Sequence, residues 1–366
     1  MTSTKYRVVS ADSHMDLAYL PRDLWTSRFP REMRDRAPRI METEKGTQWV
    51  AGSMILGPAG RRRFRDKSDQ LSIGHRLEET EKANPGDSRL RLQDLEKDGV
   101  DAEVMYGILG MGLKVKEPTL RGQIYRAYND YISEFCGAAP GRFFALGCIP
   151  SDNPEEAASE VRRVAKLGLR GADFSPFAAS KPVWHPMWEP LWQACEETGL
   201  SAQFHIAGGT TSVGMQFGEA SATCAYVCVA PMQVDEALAS MIWSKALERH
   251  PGLKVVLVES GFGWIPYLLE RMDYELEDRM HEMGLRMKPS EYWRRQCYAT
   301  FQKDFVGMRL LDVIGEGNVM WGSDYPHPDG VWPHSQKVLG ELFEGVPEGT
   351  RRKITRENAV KLYNLA

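Results

Sequence analysis

The sequence predicts an α/β protein, specifically a (β/α)8 TIM barrel with a long insertion after strand 1. Three observations lead to this prediction: short apolar runs alternate with longer amphipathic stretches, eight such runs occur, and a long interval separates the first run from the second. A strand of a parallel sheet is buried on both faces and therefore appears as a nearly continuous apolar segment. Because eight strand–helix units are enough to close such a sheet, a barrel is favoured over an open sheet.

The apolar runs give the approximate bounds of the eight predicted strands. They are Arg7–His14, Ala102–Ile108, Arg142–Pro150, Gly168–Pro176, Leu200–Gly209, Leu253–Gly261, Gln296–Gln302 and Asn318–Pro326. Amphipathic stretches lie between them, and the clearest is "SDNPEEAASEVRRVAKLGL". Asp152 or Asn153 can cap this helix and Gly168 can end it, so the strand before it is followed by a helix, as a barrel requires.

The interval between the first two runs predicts an insertion at about residues 30–95. Within it, "RIMETEKGTQWVAGSMILG" alternates like a small hairpin with Lys45-Gly46 at its turn, and "SRLRLQDLEKDG" is typical of a helix. An insertion that follows the carboxyl end of a barrel strand lies on the face that carries the active site. We therefore expect it to lie over the barrel mouth. With neither a flexible linker nor an internal repeat, the sequence predicts a single domain over residues 1–366.

Composition narrows the class of protein. Hydrophobic residues make up 42% and charged residues 26% of the chain, which is typical of a soluble globular protein. A formal net charge of -4 and a pI near 6.1 argue against nucleic acid or an anionic membrane as a partner. The beginning, "MTSTKYRVVS", lacks the apolar segment of a signal peptide. We expect a cytoplasmic protein that acts on a small molecule.

Polar side chains stand at the ends of four predicted strands, and in a barrel these ends converge on one site. They are Asp12 and His14 in the first run, His205 in the fifth, Glu259 in the sixth and Asp324 in the eighth. Asp12 and His14 are two residues apart, so a strand would direct both to one face. Two imidazoles with carboxylates form a ligand set that suits Zn²⁺, with Mn²⁺ and Fe²⁺ as alternatives.

Each of these residues also has a purely structural explanation. His205 can be a hydrogen-bonded core histidine, and Asp324 can cap the helix that follows it. Asp12 can form a hydrogen bond with the backbone of its own turn. Glu259 can do the same, or it can pair with Arg271 on the next helix. The occurrence of several such residues on one rim favours the metal site over four unrelated explanations.

Four further residues are candidates for substrate binding. Tyr106 ends the second run and could donate a hydrogen bond to a carbonyl oxygen, although packing explains it equally well. His327 follows the eighth strand, and His185 lies in the loop after the fourth. Arg271 could offset negative charge if it reaches inward, but such an arginine more often ties its helix to the barrel.

Taken together, the motifs "SADSHMD", "AQFHIAGG", "HPGLKVVLVESGFGWIPYLLERMD", "VMWGSDYPH" and "ITRENAVKLYNL" resemble the amidohydrolase superfamily. The resemblance is to the branch that contains aminocarboxymuconate-semialdehyde decarboxylase, γ-resorcylate decarboxylase and related hydrolases. It extends from about Arg7 to Leu365. It identifies a family more specifically than it identifies any one activity.

The resemblance implies one divalent metal ion in the barrel mouth, with Asp12, His14, His205 and Asp324 as its ligands. It also implies that Asp324 moves a proton, and that the protein forms a homodimer. At the sixth strand the decarboxylases usually have a histidine, whereas this sequence has Glu259. We therefore take Asp324, Glu259 and His205 as the catalytic candidates.

Charge led us to expect hydrolysis. Asp12, Glu259 and Asp324 would place three negative charges around one divalent cation, which favours a neutral carbonyl substrate over a carboxylate. The first hypothesis is therefore a metal-dependent hydrolase in which activated water attacks an ester, thioester, amide or lactone of a largely apolar substrate. The alternative is a non-oxidative decarboxylase of an aromatic or unsaturated acid, which a protonated Glu259 would permit. A third hypothesis is a barrel that only binds a ligand.

Overall fold

The structure is a computed structural model that describes residues 5–44, 46–60, 82–112, 114–206 and 220–365. Its strands are β1 (Val9–His14), β2 (Arg39–Thr43), β3 (Gly46–Ala51), β4 (Met54–Pro58), β5 (Ala102–Tyr106), β6 (Phe143–Ala145), β7 (Gly147–Cys148), β8 (Gly171–Asp173), β9 (Ser201–His205), β10 (Val255–Val258), β11 (Cys297–Phe301) and β12 (Val319–Trp321).

The α-helices lie mostly between the barrel strands. They are α1 (Leu24–Arg28), α2 (Ser88–Asp98), α3 (Leu109–Gly112), α4 (Pro118–Cys136), α5 (Pro154–Lys166), α6 (Glu189–Thr198), α7 (Ala220–Val229), α8 (Asp235–Trp243), α9 (Ala246–Arg249), α10 (Ile265–Asp278), α11 (Pro289–Gln296), α12 (Phe305–Met308), α13 (Leu311–Ile314), α14 (Ser335–Leu342), α15 (Glu348–Arg352) and α16 (Asn358–Leu362). Short 3-10 helices cover Leu17–Tyr19, Arg31–Arg36, Pro186–Trp188, Ala230–Met232 and His281–Met283, and a π-helix covers Lys353–Glu357. Within the described ranges, no helix has both the length and the apolar character needed to cross a membrane.

The barrel strands pair in parallel throughout. One sheet has the order β1-β5-β6, and the other runs from β7 to β12 in sequence order. The carboxyl end of the eighth apolar run lies beside β1, because Ser13 forms a parallel bridge with Tyr325 and the Asp324 amide donates to the Asp12 carbonyl at 2.9 Å. This arrangement of parallel strands and intervening helices confirms the predicted (β/α)8 TIM barrel.

The third apolar run departs from the prediction of one continuous strand. It forms two short strands, β6 and β7, on either side of Leu146. The first pairs with β5 and the second with β8. Helix α5 packs very closely at this point, since a Cβ on Gly147 would lie 2.7 Å from a methyl carbon of Val164. The run therefore changes its pairing partner next to Gly147, where the absence of a side chain allows helix α5 to pack closely.

The interior of the barrel is filled by apolar side chains, which include Val9, Ala11, Val104, Val256 and Met320. A second and larger apolar cluster lies between the strands and the surrounding helices. Because both faces of the strands are buried, the polar groups of the candidate site are concentrated at the carboxyl ends of the strands.

The insertion contains the predicted hairpin and helix. Strands β2, β3 and β4 form an antiparallel sheet, and Gly46 at the first turn has φ 87°. Lys45, at the same turn, lies outside the described residues. Helix α2 begins at the N-cap Asp87, whose side chain accepts from the Leu90 amide, and ends before Gly99 at φ 70°. The extent of the insertion and the single domain stay predictions.

Helix α2 braces the carboxyl ends of the first and eighth barrel strands. The buried Arg91 forms a two-pronged ion pair with Glu103 of β5 and also donates to the His14 carbonyl at 2.9 Å. Asp94, one turn later, accepts from the Tyr325 hydroxyl at 2.7 Å. These contacts connect the helix to two of the strand ends that carry candidate ligands, those of β1 and β12.

Candidate metal centre

Strand β1 delivers two of the predicted ligands. Asp12 and His14 are both buried, and His14 Nε2 lies 3.4 Å from Asp12 Oδ1. The pairing with β5 shifts register between Ser10 and Ser13, a local irregularity that alters how the end of the strand presents its side chains. The Ser10 hydroxyl donates to the Asp12 carbonyl at 2.8 Å, which holds the irregular segment in place.

His205, the last residue of β9, faces the same point. Its Nε2 lies 3.3 Å from His14 Nε2 and 3.9 Å from Asp12 Oδ1. Its Nδ1 contacts the Ile206 carbonyl, which can only accept, so Nδ1 carries the proton and Nε2 is left with its lone pair. Burial and the neighbouring charge of His14 lower the pKa of His205 to about 4. A neutral imidazole with a free Nε2 is the form that binds metals.

Asp324 and Glu259 complete the cluster from β12 and β10. Asp324 Oδ1 lies 3.1 Å from His14 Nε2, and Glu259 Oε2 lies 3.6 Å from His205 Nε2. Asp324 is fully buried, yet its Oδ2 has no hydrogen-bond partner among the described residues. Burial opposes ionisation of Asp324, but His327 and His14 outweigh it and hold the pKa of this carboxyl well below its usual range.

Thr300, on β11, was missed by the sequence analysis. Its hydroxyl donates to Asp12 Oδ2 at 3.0 Å and accepts from the Glu259 amide at 2.8 Å. Asp12 Oδ1 is therefore left buried without a hydrogen-bond partner in the described part of the chain. The available signal was a hydroxyl near the end of the seventh run, "QCYATFQ", but only the neighbouring strands show what it holds.

His327 and Asp16 extend the cluster toward the surface. The His327 ring stacks on the His14 ring with centroids 4.0 Å apart, and its Nδ1 lies 2.9 Å from Asp324 Oδ1. Asp16 Oδ2 lies 3.2 Å from His327 Nε2. His327 is among the residues predicted from the sequence, whereas Asp16 is not, although Asp16 belongs to the motif "SADSHMD".

The donor atoms fit a divalent cation. Donor atoms from Asp12, His14 and His205 lie within 4.8 Å of one another, and so do donor atoms from His14, Glu259, Asp324 and His327. Buried carboxylate oxygens without partners are costly unless something positive compensates them. The unpartnered oxygens of Asp12 and Asp324, together with the free Nε2 of His205, fit such an ion. The cluster is therefore a possible metal site.

Charges in this cluster differ from those assumed from the sequence. Burial, together with the charges of Asp324, Asp329 and Asp12, raises the pKa of Glu259 well above its ordinary value. Glu259 is then a neutral carboxyl that can donate a hydrogen bond. Burial lowers the pKa of His327, but Asp324 and Asp16 outweigh it and raise this pKa well above its ordinary value. Similarly, contacts with Asp12 and Asp324 overcome burial and the charge of His327 and raise the pKa of His14 to about 9.

The remaining substrate-binding candidates lie elsewhere or have other partners. The Tyr106 hydroxyl donates to Gln203 Oε1 at 2.7 Å inside the barrel, although its ring lies 5.1 Å from the His205 ring. His185 accepts from the Met187 amide at 3.2 Å and begins a 3-10 turn. The structure does not bring Arg271 to the cluster: this side chain is half exposed on α10 and pairs with Glu275, one helical turn away. Arg271 therefore does not offset charge at the cluster, and its partner is Glu275 on its own helix.

Comparison with known proteins places this geometry in a family context. A family model described as amidohydrolase matches residues 78–365. A 2-amino-3-carboxymuconate-6-semialdehyde decarboxylase from Dictyostelium discoideum is 26% identical over 77% of this chain and 78% of its own length. A γ-resorcylate decarboxylase from Rhodococcus jostii is 27% identical over 66% of this chain and 77% of its own.

Solved structures show the same fold. An amidohydrolase from Mycobacterium avium subsp. paratuberculosis superposes with a TM-score of 0.78 at 20% identity, over 100% of both chains. A 5-carboxyvanillate decarboxylase from Novosphingobium aromaticivorans, which contains bound manganese, has a TM-score of 0.72 at 17% identity over 98% of this chain and 97% of its own.

The hydrolase hypothesis is wrong, because the relatives from Dictyostelium discoideum and Rhodococcus jostii are named decarboxylases. The charge argument behind it failed for a physical reason. It counted Glu259 as an anion, whereas burial among other carboxylates favours its neutral form. It also left out the cationic His327, which contacts Asp324. With these two changes, the site no longer repels a substrate carboxylate as strongly as the sequence implied.

Proposed function

Because the chain belongs to the amidohydrolase family, we propose that it is a metal-dependent, non-oxidative decarboxylase of a small aromatic or unsaturated carboxylic acid. One observation carries the proposal: a buried cluster holds two imidazoles and two carboxylates, Asp12 and Asp324, and each carboxylate keeps an oxygen without a hydrogen-bond partner within the described ranges. The names of the relatives supply the reaction class.

The cation would be held by Asp12, His14, His205 and Asp324. Manganese becomes the first choice, ahead of the zinc expected from the sequence, because related decarboxylases contain bound manganese and mixed imidazole–carboxylate sites accept it. When bound, such a cation supplies Lewis-acid stabilisation of negative charge on substrate oxygens.

Proton transfer is the step assigned to this chain's own residues. Decarboxylation adds one proton to the carbon that carries the carboxylate, then breaks the bond to that carboxylate, releases CO₂ and returns the bonding electron pair to the unsaturated system. Asp324, which is ionised at rest, would take up this proton from solvent during turnover and pass it to the carbon, since its Oδ2 is buried without a partner in the described residues. Glu259 would donate a hydrogen bond to a substrate oxygen beside His205.

A substrate panel tests the proposal. The manganese-loaded protein would be incubated with ortho-hydroxybenzoates and with unsaturated amino acids that carry an additional carboxylate. Esters and thioesters would be tested separately, and CO₂ and the organic products would be quantified in every reaction. We expect CO₂ in a 1:1 ratio to the decarboxylated product with at least one acid, and loss of that activity after chelation. Ester or thioester hydrolysis without CO₂ from any acid would contradict the proposal.

A further inference from the structure

We propose that Asp16 and His327 are positioning residues of the metal centre. Asp16 fixes the His327 ring, and that ring in turn holds His14 and Asp324 in the orientation that binds the cation. This inference rests on the proposed metal site. It assigns a function to Asp16 and defines the function of His327 as indirect.

His327 contacts two of the proposed ligands at once. Its ring is nearly parallel to the His14 ring, with an interplanar angle of 27° and centroids 4.0 Å apart. Its Nδ1 is 2.9 Å from Asp324 Oδ1. A ring that lies flat against one ligand and pairs with the other restricts the rotation of both side chains.

The backbone brings His327 to this place. The His327 amide donates to the Asp324 carbonyl at 2.8 Å, which closes a tight turn directly after β12. A Cβ on Gly330 would lie 2.7 Å from the Ser323 carbonyl oxygen, so the loop folds back closely on itself. The turn fixes the position of the His327 backbone, but the side chain still needs a partner to fix the plane of its ring.

Asp16 provides that partner from the other side. Its Oδ2 accepts from His327 Nε2 at 3.2 Å, and within the described ranges its side chain forms an ion pair with no other residue. The side chains of Asp16 and His327 are 34% and 28% exposed, whereas Asp324 is fully buried. Asp16 therefore acts on the cluster through His327, and its replacement leaves the buried core intact.

A direct ligand role for His327 is the competing explanation, because its donor atom lies within 4.8 Å of those of His14, Glu259 and Asp324. The two explanations differ in the cost of removing the His327 ring. If His327 bound the cation itself, its own removal would cost as much as that of His205. If His327 positions the other ligands, Asp16→Asn and His327→Gln would weaken metal binding to an extent similar to each other. Both losses would be smaller than that of His205→Ala.

The experiment measures Mn²⁺ affinity by electron paramagnetic resonance titration of the free ion, on the full chain, for wild type, Asp16→Asn, His327→Gln and His205→Ala. We expect the first two variants to raise the dissociation constant by roughly 10- to 100-fold. His205→Ala should lose most of the binding. Asp23→Asn, the same chemical change at an exposed position before α1, is the matched control and should bind as wild type does.

Each outcome decides the inference. An unchanged dissociation constant in Asp16→Asn, with normal binding in wild type, overturns the positioning role and leaves the proposed function intact. A His327→Gln loss as large as that of His205→Ala makes His327 a ligand and also overturns it, whatever the effect of Asp16→Asn. Absence of Mn²⁺ binding in wild type overturns both proposals. Thermal unfolding confirms folding, and if His327→Gln fails to fold, His327→Asn takes its place in the comparison.

Discussion

Glu259 and Asp324 adopt a left-handed backbone conformation, with φ of 55° and 57°. Aspartate tolerates this region better than most residues, but for glutamate it is uncommon. Such conformations cost of order 1–3 kcal/mol each and persist where the surrounding structure imposes them. Here they turn the chain sharply at the ends of β10 and β12, which brings both carboxyls into the cluster. Both residues have a part in the proposed chemistry, whereas Lys245 and Asn364, which also have positive φ, lie outside the cluster.

Metal content and turnover separate the roles of His205 and Asp324. His205→Ala removes a neutral imidazole and should lose most of the bound metal. Asp324→Asn keeps an oxygen donor but no transferable proton, so it should retain metal while the rate of CO₂ release falls by about 10²- to 10⁴-fold. Elemental analysis and a CO₂ assay measure both quantities. His281→Ala is the control, because that imidazole is exposed and lies outside the cluster.

Full turnover in Asp324→Asn would remove the proton-transfer role. Unchanged metal content in His205→Ala would remove His205 from the ligand set, whatever its distance from His14.

The positions of Asp12, His14, His205 and Asp324 at the ends of predicted strands indicated that these side chains lie close together, because a parallel barrel directs strand ends to one rim. The proximity of these four side chains follows from fold alone. Thr300 and Asp16 were not predicted, because each is recognised by a contact with a residue about 300 positions away in the sequence, which periodicity does not encode. The charge state of Glu259 was also beyond the sequence, since it depends on burial and on three neighbouring carboxylates.

Helix α2 shows how an inserted element becomes part of a barrel. Its Arg91 is fully buried, donates to Glu103 and to the His14 carbonyl, and lies 4.9 Å from the centroid of the Tyr325 ring. The sequence predicted the helix from its pattern and cap. It did not predict the burial of Arg91, because an arginine on an amphipathic helix is normally assigned to the solvent face.

Arg91→Met tests this brace. Removal of one partner of a buried ion pair leaves Glu103 uncompensated, which should lower the free energy of unfolding by about 3–5 kcal/mol. Urea unfolding followed by circular dichroism measures it. Arg89→Met, on the exposed side of the same helix, should change stability by less than about 0.5 kcal/mol. Equal effects of the two substitutions would show that the pair contributes nothing specific.

At the scale of the whole molecule, the alternation of strands and helices predicted the architecture, and the order of the runs predicted the order of the strands. The exception was the run from Arg142 to Pro150, where a change of partner at Leu146 divides one run into two strands. Apolar periodicity records burial, and both short strands are buried, so the division left no trace in the sequence. The homodimer stays a prediction.

Metal removal should lower the thermal stability of the whole protein. A ligand that binds the native state at 100 times its dissociation constant stabilises it by about 2.7 kcal/mol, so chelation should lower the melting temperature and added Mn²⁺ should restore it. Differential scanning calorimetry with and without chelator measures the shift. His205→Ala should melt at one temperature under both conditions. If the melting temperature of the wild type were the same with and without chelator, the result would argue against a tightly bound ion.

The proposed ligands come from opposite ends of the chain, with His14 and His205 separated by 191 residues and Asp324 later still. During synthesis on the ribosome, His14 emerges early and has to wait until nearly the entire polypeptide has been made. The complete coordination sphere can therefore form only after translation is almost over. The ion that is captured will depend on which free cations the surrounding compartment offers at that late moment.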